Sequence, residues 1–135
     1  MKSWTEKLNA PARAEVKPAP VSIAGMCAGE IMLIPTPKLV DDFIRAIPEG
    51  TQTDVKSMRK ALAREHGTEV TCPIYTGYHL RTVAEAAHEM LGRGAPLSEI
   101  TPFWRVLDAK TPTTKRLSFG AEFVAEQRAR EGLEN

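Results

Sequence analysis

The fold is decided by residues 78–91, which read YHLRTVAEAAHEML. Apolar side chains recur in this stretch at helical spacing. The inward set is Leu80, Val83, Ala84, Ala87 and Leu91. Thr76 is a suitable N-cap, and Gly92 and Gly94 end the pattern. The stretch therefore predicts an amphipathic helix from about Tyr78 to Leu91.

Two shorter helices are predicted before this one. The first covers residues 37–47, with Thr36 as its N-cap and Pro37 at the first helical position. The second runs from about Asp54 to Glu65 and ends at the His-Gly pair of residues 66–67. Together with residues 78–91 they form a predicted three-helix unit.

A strand pair and a last helix are predicted after the three helices. Residues 101–107 have the composition of a strand, and residues 115–119 are a suitable partner across a turn at residues 108–110. Residues 121–130 predict a closing helix. This order of elements is typical of a winged helix-turn-helix. The predicted fold class is therefore mainly α with a small β-hairpin.

The first 32 residues differ in composition from the rest. Residues 3–8 predict a short helix capped by Ser3, whereas prolines interrupt any continuous helix in residues 9–20. We therefore divide the chain into a short helix with a Pro-rich arm, residues 1–32, and a winged-helix domain, residues 33–135.

Length and composition exclude several classes of protein. The chain has 135 residues, of which 42% are hydrophobic and 26% are charged, as expected of a single globular domain. No apolar run approaches the roughly 20 residues of a membrane span, and the N-terminus lacks the apolar core of a secretory signal. With only two cysteines, Cys27 and Cys72, the cytoplasm is the expected compartment. We expect a monomer with no cofactor, no metal and no membrane partner.

The strongest functional signal is a local basic face. The whole chain has a net charge of only +1, but residues 51–64 contain four basic side chains and one acidic side chain. Three of the basic residues are Lys56, Arg59 and Lys60. A solvated helix face is the simplest explanation of such a pattern. DNA contact is the functional explanation, because the next predicted helix begins with polar side chains that a recognition helix could use. These are Tyr78, His79, Arg81 and Thr82.

A second candidate site lies in residues 100–107, which read ITPFWRVL. Adjacent aromatic side chains point to opposite faces of a strand, so Phe103 or Trp104 must leave the core unless the chain bends after Pro102. The structural explanation is an aromatic core strand. The functional explanation is a binding wall formed by Pro102, Phe103, Trp104 and Arg105.

Four short motifs follow one another along the chain. Residues 47–50 read IPEG, residues 81–84 RTVA, residues 102–106 PFWRV and residues 130–132 REG. In this order they resemble Ile-Pro-x-Gly, Arg-Ala-Val-Gly, Pro-Cys-His-Arg-Val and a terminal Glu-Gly of one family. That family is the alkylguanine-DNA alkyltransferases (methylated-DNA–protein-cysteine methyltransferases), together with their non-enzymatic alkyltransferase-like relatives. The resemblance is to the DNA-binding domain and covers about residues 33–132.

The resemblance implies double-stranded DNA as the partner, with Arg81 entering the base stack in place of a flipped nucleotide. The family's Tyr that helps to rotate a phosphate corresponds to about Val55, and its Asn hinge is not evident. The positions of the acceptor Cys and its His base hold Phe103 and Trp104, which supply neither a thiolate nor a base. Alkyl transfer at this position is therefore excluded. The first hypothesis is a non-enzymatic DNA-binding protein that recognises alkylated or flipped bases in DNA repair.

Two alternatives stay open. The missing Tyr and hinge favour a winged-helix DNA-binding or regulatory module without base flipping. The position of Cys72 shortly before a helix, where a helix N-terminus can activate a thiol, allows a methyltransferase that uses this cysteine as acceptor. No residue identifies a repair-protein partner.

Overall fold

The computed structural model describes residues 2–134 and shows a mainly helical chain with a small three-stranded sheet. The helices are α1 (Trp4–Asn9), α2 (Pro37–Arg45), α3 (Val55–Glu65), α4 (Pro73–Gly92), α5 (Pro112–Lys115) and α6 (Glu122–Glu131). The strands are β1 (Glu15–Pro18), β2 (Ile31–Ile34) and β3 (Val70–Thr71). Short 3₁₀ turns occupy Leu97–Glu99 and Phe103–Arg105. Within residues 2–134, none of the helices combines the length and apolar character needed to cross a bilayer.

Side-chain caps start the first three helices. The Ser3 hydroxyl accepts a hydrogen bond from the Glu6 amide in α1, and the Thr36 hydroxyl accepts one from Leu39 in α2. The Asp54 carboxylate does the same for α3 at 2.7 Å from the Ser57 nitrogen. Each cap satisfies one otherwise unpaired amide of the first turn. The predicted short helices are therefore confirmed at their N-terminal ends.

Helix α4 begins earlier than its apolar pattern predicts. Cys72 is the N-cap and Pro73 occupies the first helical position, where its fixed φ is favourable and its missing N–H costs nothing. The predicted cap, Thr76, lies inside the helix, where its hydroxyl donates to the Cys72 carbonyl at 2.6 Å. The predicted start was therefore wrong, and residues 78–82 lie more than one turn inside the helix.

The predicted hairpin between residues 101 and 119 is absent. A 3₁₀ turn and α5 occupy this segment. The backbone groups of the turn find partners elsewhere, because the Arg128 guanidinium donates to the carbonyls of Trp104 and Leu107 at 2.7 and 3.4 Å. The Arg105 carbonyl accepts from the Thr53 amide at 2.8 Å. Because these carbonyl groups already accept hydrogen bonds, a partner strand is not required to satisfy them.

The sheet forms instead at the N-terminal side of the chain. Strand β1 pairs antiparallel with β2, from Glu15 opposite Ile34 to Pro18 opposite Ile31. Strand β3 pairs parallel with β2 through only two residues. The predicted Pro-rich arm thus contains an edge strand, a position in which proline is tolerated.

Helix α4 lies at the centre of the main core. Its buried side chains Leu80 and Val83 belong to one cluster with side chains of α2, α3 and α6. Leu8 of α1 belongs to the same cluster, and its side chain is 6% exposed. A smaller cluster under the sheet consists of Ala19, Met26, Met32 and Cys72. The N-terminal helix therefore shares the main core.

Candidate nucleic-acid interface

Two adjoining cavities form a groove beside α3. The first, of about 430 Å³, lies between α3, the N-terminal half of α4 and the α5 region. The second, of about 510 Å³, lies between α3, β3 and the turn at residues 24–25. Val55 and Arg59 line both cavities, so we treat them as one basic groove.

The charge of the basic groove is predominantly positive. Its charged lining residues are the four cations Lys56, Arg59, Lys60 and Arg116 and the single carboxylate Glu69. Among residues 2–134, no carboxylate lies within 4.0 Å of any of these four cations. Cations without a carboxylate partner leave their field available to an anionic ligand.

Arg59 fixes one side of the groove. Its half-buried guanidinium donates from Nε to the Thr71 carbonyl at 3.1 Å and from Nη1 to the Ala24 carbonyl at 3.3 Å. Burial lowers the pKa of the Arg59 guanidinium, and the nearby Cys72 acts in the opposite direction. An arginine nevertheless stays charged at neutral pH. The carbonyls orient this charge and do not neutralise it.

Exposed apolar side chains stand beside the cations. Ile74 and Tyr78 line the first cavity and are 48% and 59% exposed. Tyr75 is 44% exposed, and its ring centroid lies 6.3 Å from that of Tyr78 in an edge-on arrangement. The sequence interpretation included Tyr78 but missed Tyr75 and Arg116. Tyr75 lines neither cavity, and it lies on the same helix as Tyr78 because α4 begins at Pro73.

Arg81 and Thr82 do not line the groove with the α3 cations. The guanidinium of Arg81 lies 5.2 Å from the ring centroid of Trp4 and its Nε 3.6 Å from the Glu85 carboxylate. The Thr82 hydroxyl donates to the Tyr78 carbonyl at 3.1 Å. Lys56, Arg59 and Lys60 are therefore brought together, with Tyr78 in the adjoining cavity, while Arg81 contacts the N-terminal helix.

Phe103 is fully buried within an aromatic cluster. Its ring centroid lies 5.3–5.8 Å from those of Trp104, Phe119 and Phe123. His88 stacks on Phe119 at 3.9 Å and completes the cluster. Phe103 has no exposed surface, so it contacts a base only if these neighbours move.

The other residues of the predicted base pocket lie at a different cavity. Pro102, Trp104 and Arg105 line a space of about 400 Å³, together with Arg45, Glu49 and Arg130. None of these residues lines the basic groove. The two parts of the predicted site are thus placed at separate cavities.

The buried carboxylate of Glu131 holds Trp104 and Arg105, which line the cavity of about 400 Å³. Glu131 accepts from Trp104 Nε1 at 2.6 Å, from Arg105 Nε at 2.9 Å and from the Gly50 amide at 2.9 Å. Burial acts to raise the pKa of Glu131, but the hydrogen bonds from Arg105, Gly50 and Trp104 outweigh it and lower the pKa from 4.5 to about 2. Sequence reasoning assigned Glu131 no role, because Trp104, Arg105 and Gly50 are 26 or more residues away from it.

The two cysteines differ in accessibility. Cys72 is 4% exposed and packs in the small cluster with Met26 and Met32, whereas Cys27 is exposed. Within residues 2–134, no group of three or more His, Cys, Asp or Glu side chains has the geometry of a metal site.

Comparison with known proteins finds no match to this chain among family models, curated proteins or solved structures.

Proposed function

We propose that the protein is a non-enzymatic DNA-binding protein of the alkyltransferase-like kind, with a role in recognising alkylated or flipped bases in DNA repair. The observation that carries DNA binding is the basic groove. Its lining contains four cations, one carboxylate and the exposed Tyr78. The order of the sequence motifs supports the choice of family.

The size of the groove sets the kind of binding expected. Each phosphate neutralised by a cation contributes a slope of about −0.9 to the dependence of log affinity on log salt concentration. Up to four cations of the groove could make such contacts, so we expect modest affinity that falls steeply with salt. A net charge of +1 for the whole chain agrees with this small footprint.

A second candidate is a DNA-binding or regulatory module that does not flip bases. Burial of Phe103 among aromatic rings favours it, because this position is then occupied by core packing. The contact between Arg81 and Trp4 favours it further, since the guanidinium is already engaged with the N-terminal helix.

Fluorescence anisotropy with labelled duplexes tests the proposal. Duplexes with guanine or methylated guanine at one position are titrated at two salt concentrations. We expect Lys60→Ala to weaken binding to both and to reduce the salt slope by about 1. Lys38→Ala removes the same charge from α2, outside the groove, and is expected to leave affinity unchanged. Absence of binding at low salt would refute DNA contact.

The same titration separates the two candidates. Tighter binding of the methylated duplex, with loss of that preference in Arg81→Ala, supports base recognition. Equal affinity for both duplexes supports the module that does not flip bases, provided that Arg81→Ala keeps this affinity and Lys60→Ala lowers it.

Intact-mass spectrometry tests the remaining alternative, methyl transfer to Cys72. The buried thiol argues against it. We expect no mass gain of one methyl group after incubation with methylated-guanine DNA, and a gain that disappears in Cys72→Ser would establish the transfer.

A further inference from the structure

We infer that the basic groove binds unpaired nucleotides in preference to duplex, through a stacking platform formed by Tyr78 with Tyr75 edge-on beside it. This inference rests on the proposed nucleic-acid binding and specifies the form of nucleic acid that the groove takes.

The exposure of the two rings points to a partner with free π-faces. Tyr75 and Tyr78 retain 44% and 59% of their accessible surface, although they lie on a helix whose opposite face is fully buried at Leu80. The faces of bases in a duplex are covered by their neighbours. Single strands present these faces, and stacking on aromatic side chains is their usual mode of recognition.

The cations are placed to accompany stacked bases. Tyr78, Arg59 and Arg116 line the same cavity of about 430 Å³, and Arg59 also belongs to the adjoining cavity with Lys56 and Lys60. A strand with one base on Tyr78 can thus lay its phosphates along the groove. This combination of a positive groove with aromatic rings is the one that single-stranded nucleic acids require.

The platform is held in place before any ligand binds. Thr76, between the two tyrosines, is fully buried and donates to the Cys72 carbonyl. The Tyr75 ring packs against His79 at 6.0 Å between centroids, and His79 Nε2 is 2.9 Å from the Pro35 carbonyl oxygen. Little side-chain freedom near Tyr75 remains to be lost on binding, which favours affinity.

Anisotropy with matched 12-nucleotide probes tests the inference. The probes are oligo(dT), oligo(rU) and a 12-base-pair duplex at equal low salt. We expect both single strands to bind more tightly than the duplex. Tyr78→Ala is expected to weaken single-strand binding about fivefold or more and to weaken duplex binding less than that, whereas Tyr78→Phe keeps the ring and the affinity. Val16→Ala, an exposed substitution on β1, is the control for handling and folding.

The outcomes separate the inference from the proposed function. The platform is overturned, and DNA binding is left in place, if the duplex binds as tightly as the single strands or more tightly. The same conclusion follows if Tyr78→Ala keeps the single-strand affinity. Single-strand binding lost in Tyr78→Ala and retained in Tyr78→Phe, without any duplex binding, supports the platform and removes the duplex as partner. Absence of binding to all three probes overturns both.

Discussion

Glu131 joins three parts of the molecule at one carboxylate. Its oxygens accept hydrogen bonds from Trp104 and Arg105 in the 3₁₀ turn and from the Gly50 amide in the turn after α2. Gly50 has φ +79°, a conformation that favours glycine, so its amide is aimed at the carboxylate by the backbone itself. The Glu131 side chain is fully buried, and the loss of its charge leaves Arg105 without its carboxylate partner.

Glu131→Gln is therefore expected to lower the free energy of unfolding by about 3–5 kcal/mol, the usual cost of breaking a buried ion pair. Urea denaturation followed by circular dichroism measures it. Glu126→Gln, an exposed change on the same helix, serves as the control and is expected to alter stability by less than about 0.5 kcal/mol. A loss of less than about 1 kcal/mol in Glu131→Gln would contradict a central role for this carboxylate.

The lowered pKa of Glu131 predicts a specific acid sensitivity. Because the folded-state pKa, about 2, is below the ordinary 4.5, the stabilisation is complete above about pH 5 and is lost as pH falls toward 2. The difference corresponds to about 3 kcal/mol. Urea titrations at several pH values measure this loss. The wild-type and Glu131→Gln unfolding free energies should converge at low pH, and parallel curves would show that Glu131 does not carry the effect.

At the scale of elements, α1 is attached to α4 by polar contacts at its first turn. The Glu89 carboxylate on α4 accepts from the amides of Trp4 and Thr5 and from the Thr5 hydroxyl at 2.7–3.3 Å. The hydrogen bond from the Thr5 hydroxyl is the largest of the effects that lower the pKa of Glu89. Trp4 adds cation–π contacts with Lys7 and Arg81. A six-residue helix is not stable alone in water, so α1 depends on these contacts.

Glu89→Ala is expected to release α1 without unfolding α4. Hydrogen exchange with mass spectrometry should show faster exchange over residues 4–9 and unchanged exchange in the centre of α4. Arg93→Ala removes the exposed partner of Glu89 at 3.3 Å but none of the bonds to α1, and it is expected to leave exchange in residues 4–9 unchanged. Unchanged protection of α1 in Glu89→Ala would show that apolar packing alone holds it.

At the scale of the whole molecule, one main core connects the N-terminal helix with the remaining helices. Leu8 is 6% exposed and packs in the cluster that contains Leu80 and Val83 of α4. We therefore expect the chain to unfold as one cooperative unit.

Leu8→Ala is expected to lower the free energy of unfolding by about 2–4 kcal/mol and to shift a single transition. Circular dichroism at 222 nm during urea denaturation measures the shift. Val16→Ala, at a position 57% exposed, is expected to have almost no effect. If Leu8→Ala left the midpoint unchanged, residues 1–32 would be an appendage that unfolds separately.

Local signals in the sequence determined the helices that have side-chain caps. Thr36, Asp54 and Ser3 each accept a bond from an amide three residues along, so the information lies within one turn. Apolar spacing also identified the buried face of α4 correctly at Leu80 and Val83. The start of α4 was missed because Thr76 was the predicted N-cap, whereas Pro73 occupies the first helical position, where proline is favourable.

Tertiary structure alone decided the conformation of residues 100–119 and the placement of the candidate site. Their composition favours a strand, but hydrogen bonds from Arg128 and Thr53, which are 21 or more residues away in sequence, stabilise a turn instead. Such distant contacts also bury Phe103 and separate Trp104 from the basic groove. They place Arg59 and Arg116 at the same cavity. The sequence by itself determined which side chains carry charge and aromatic rings, because that is covalent chemistry. Their arrangement around a groove was decided by long-range packing, which local pattern does not encode.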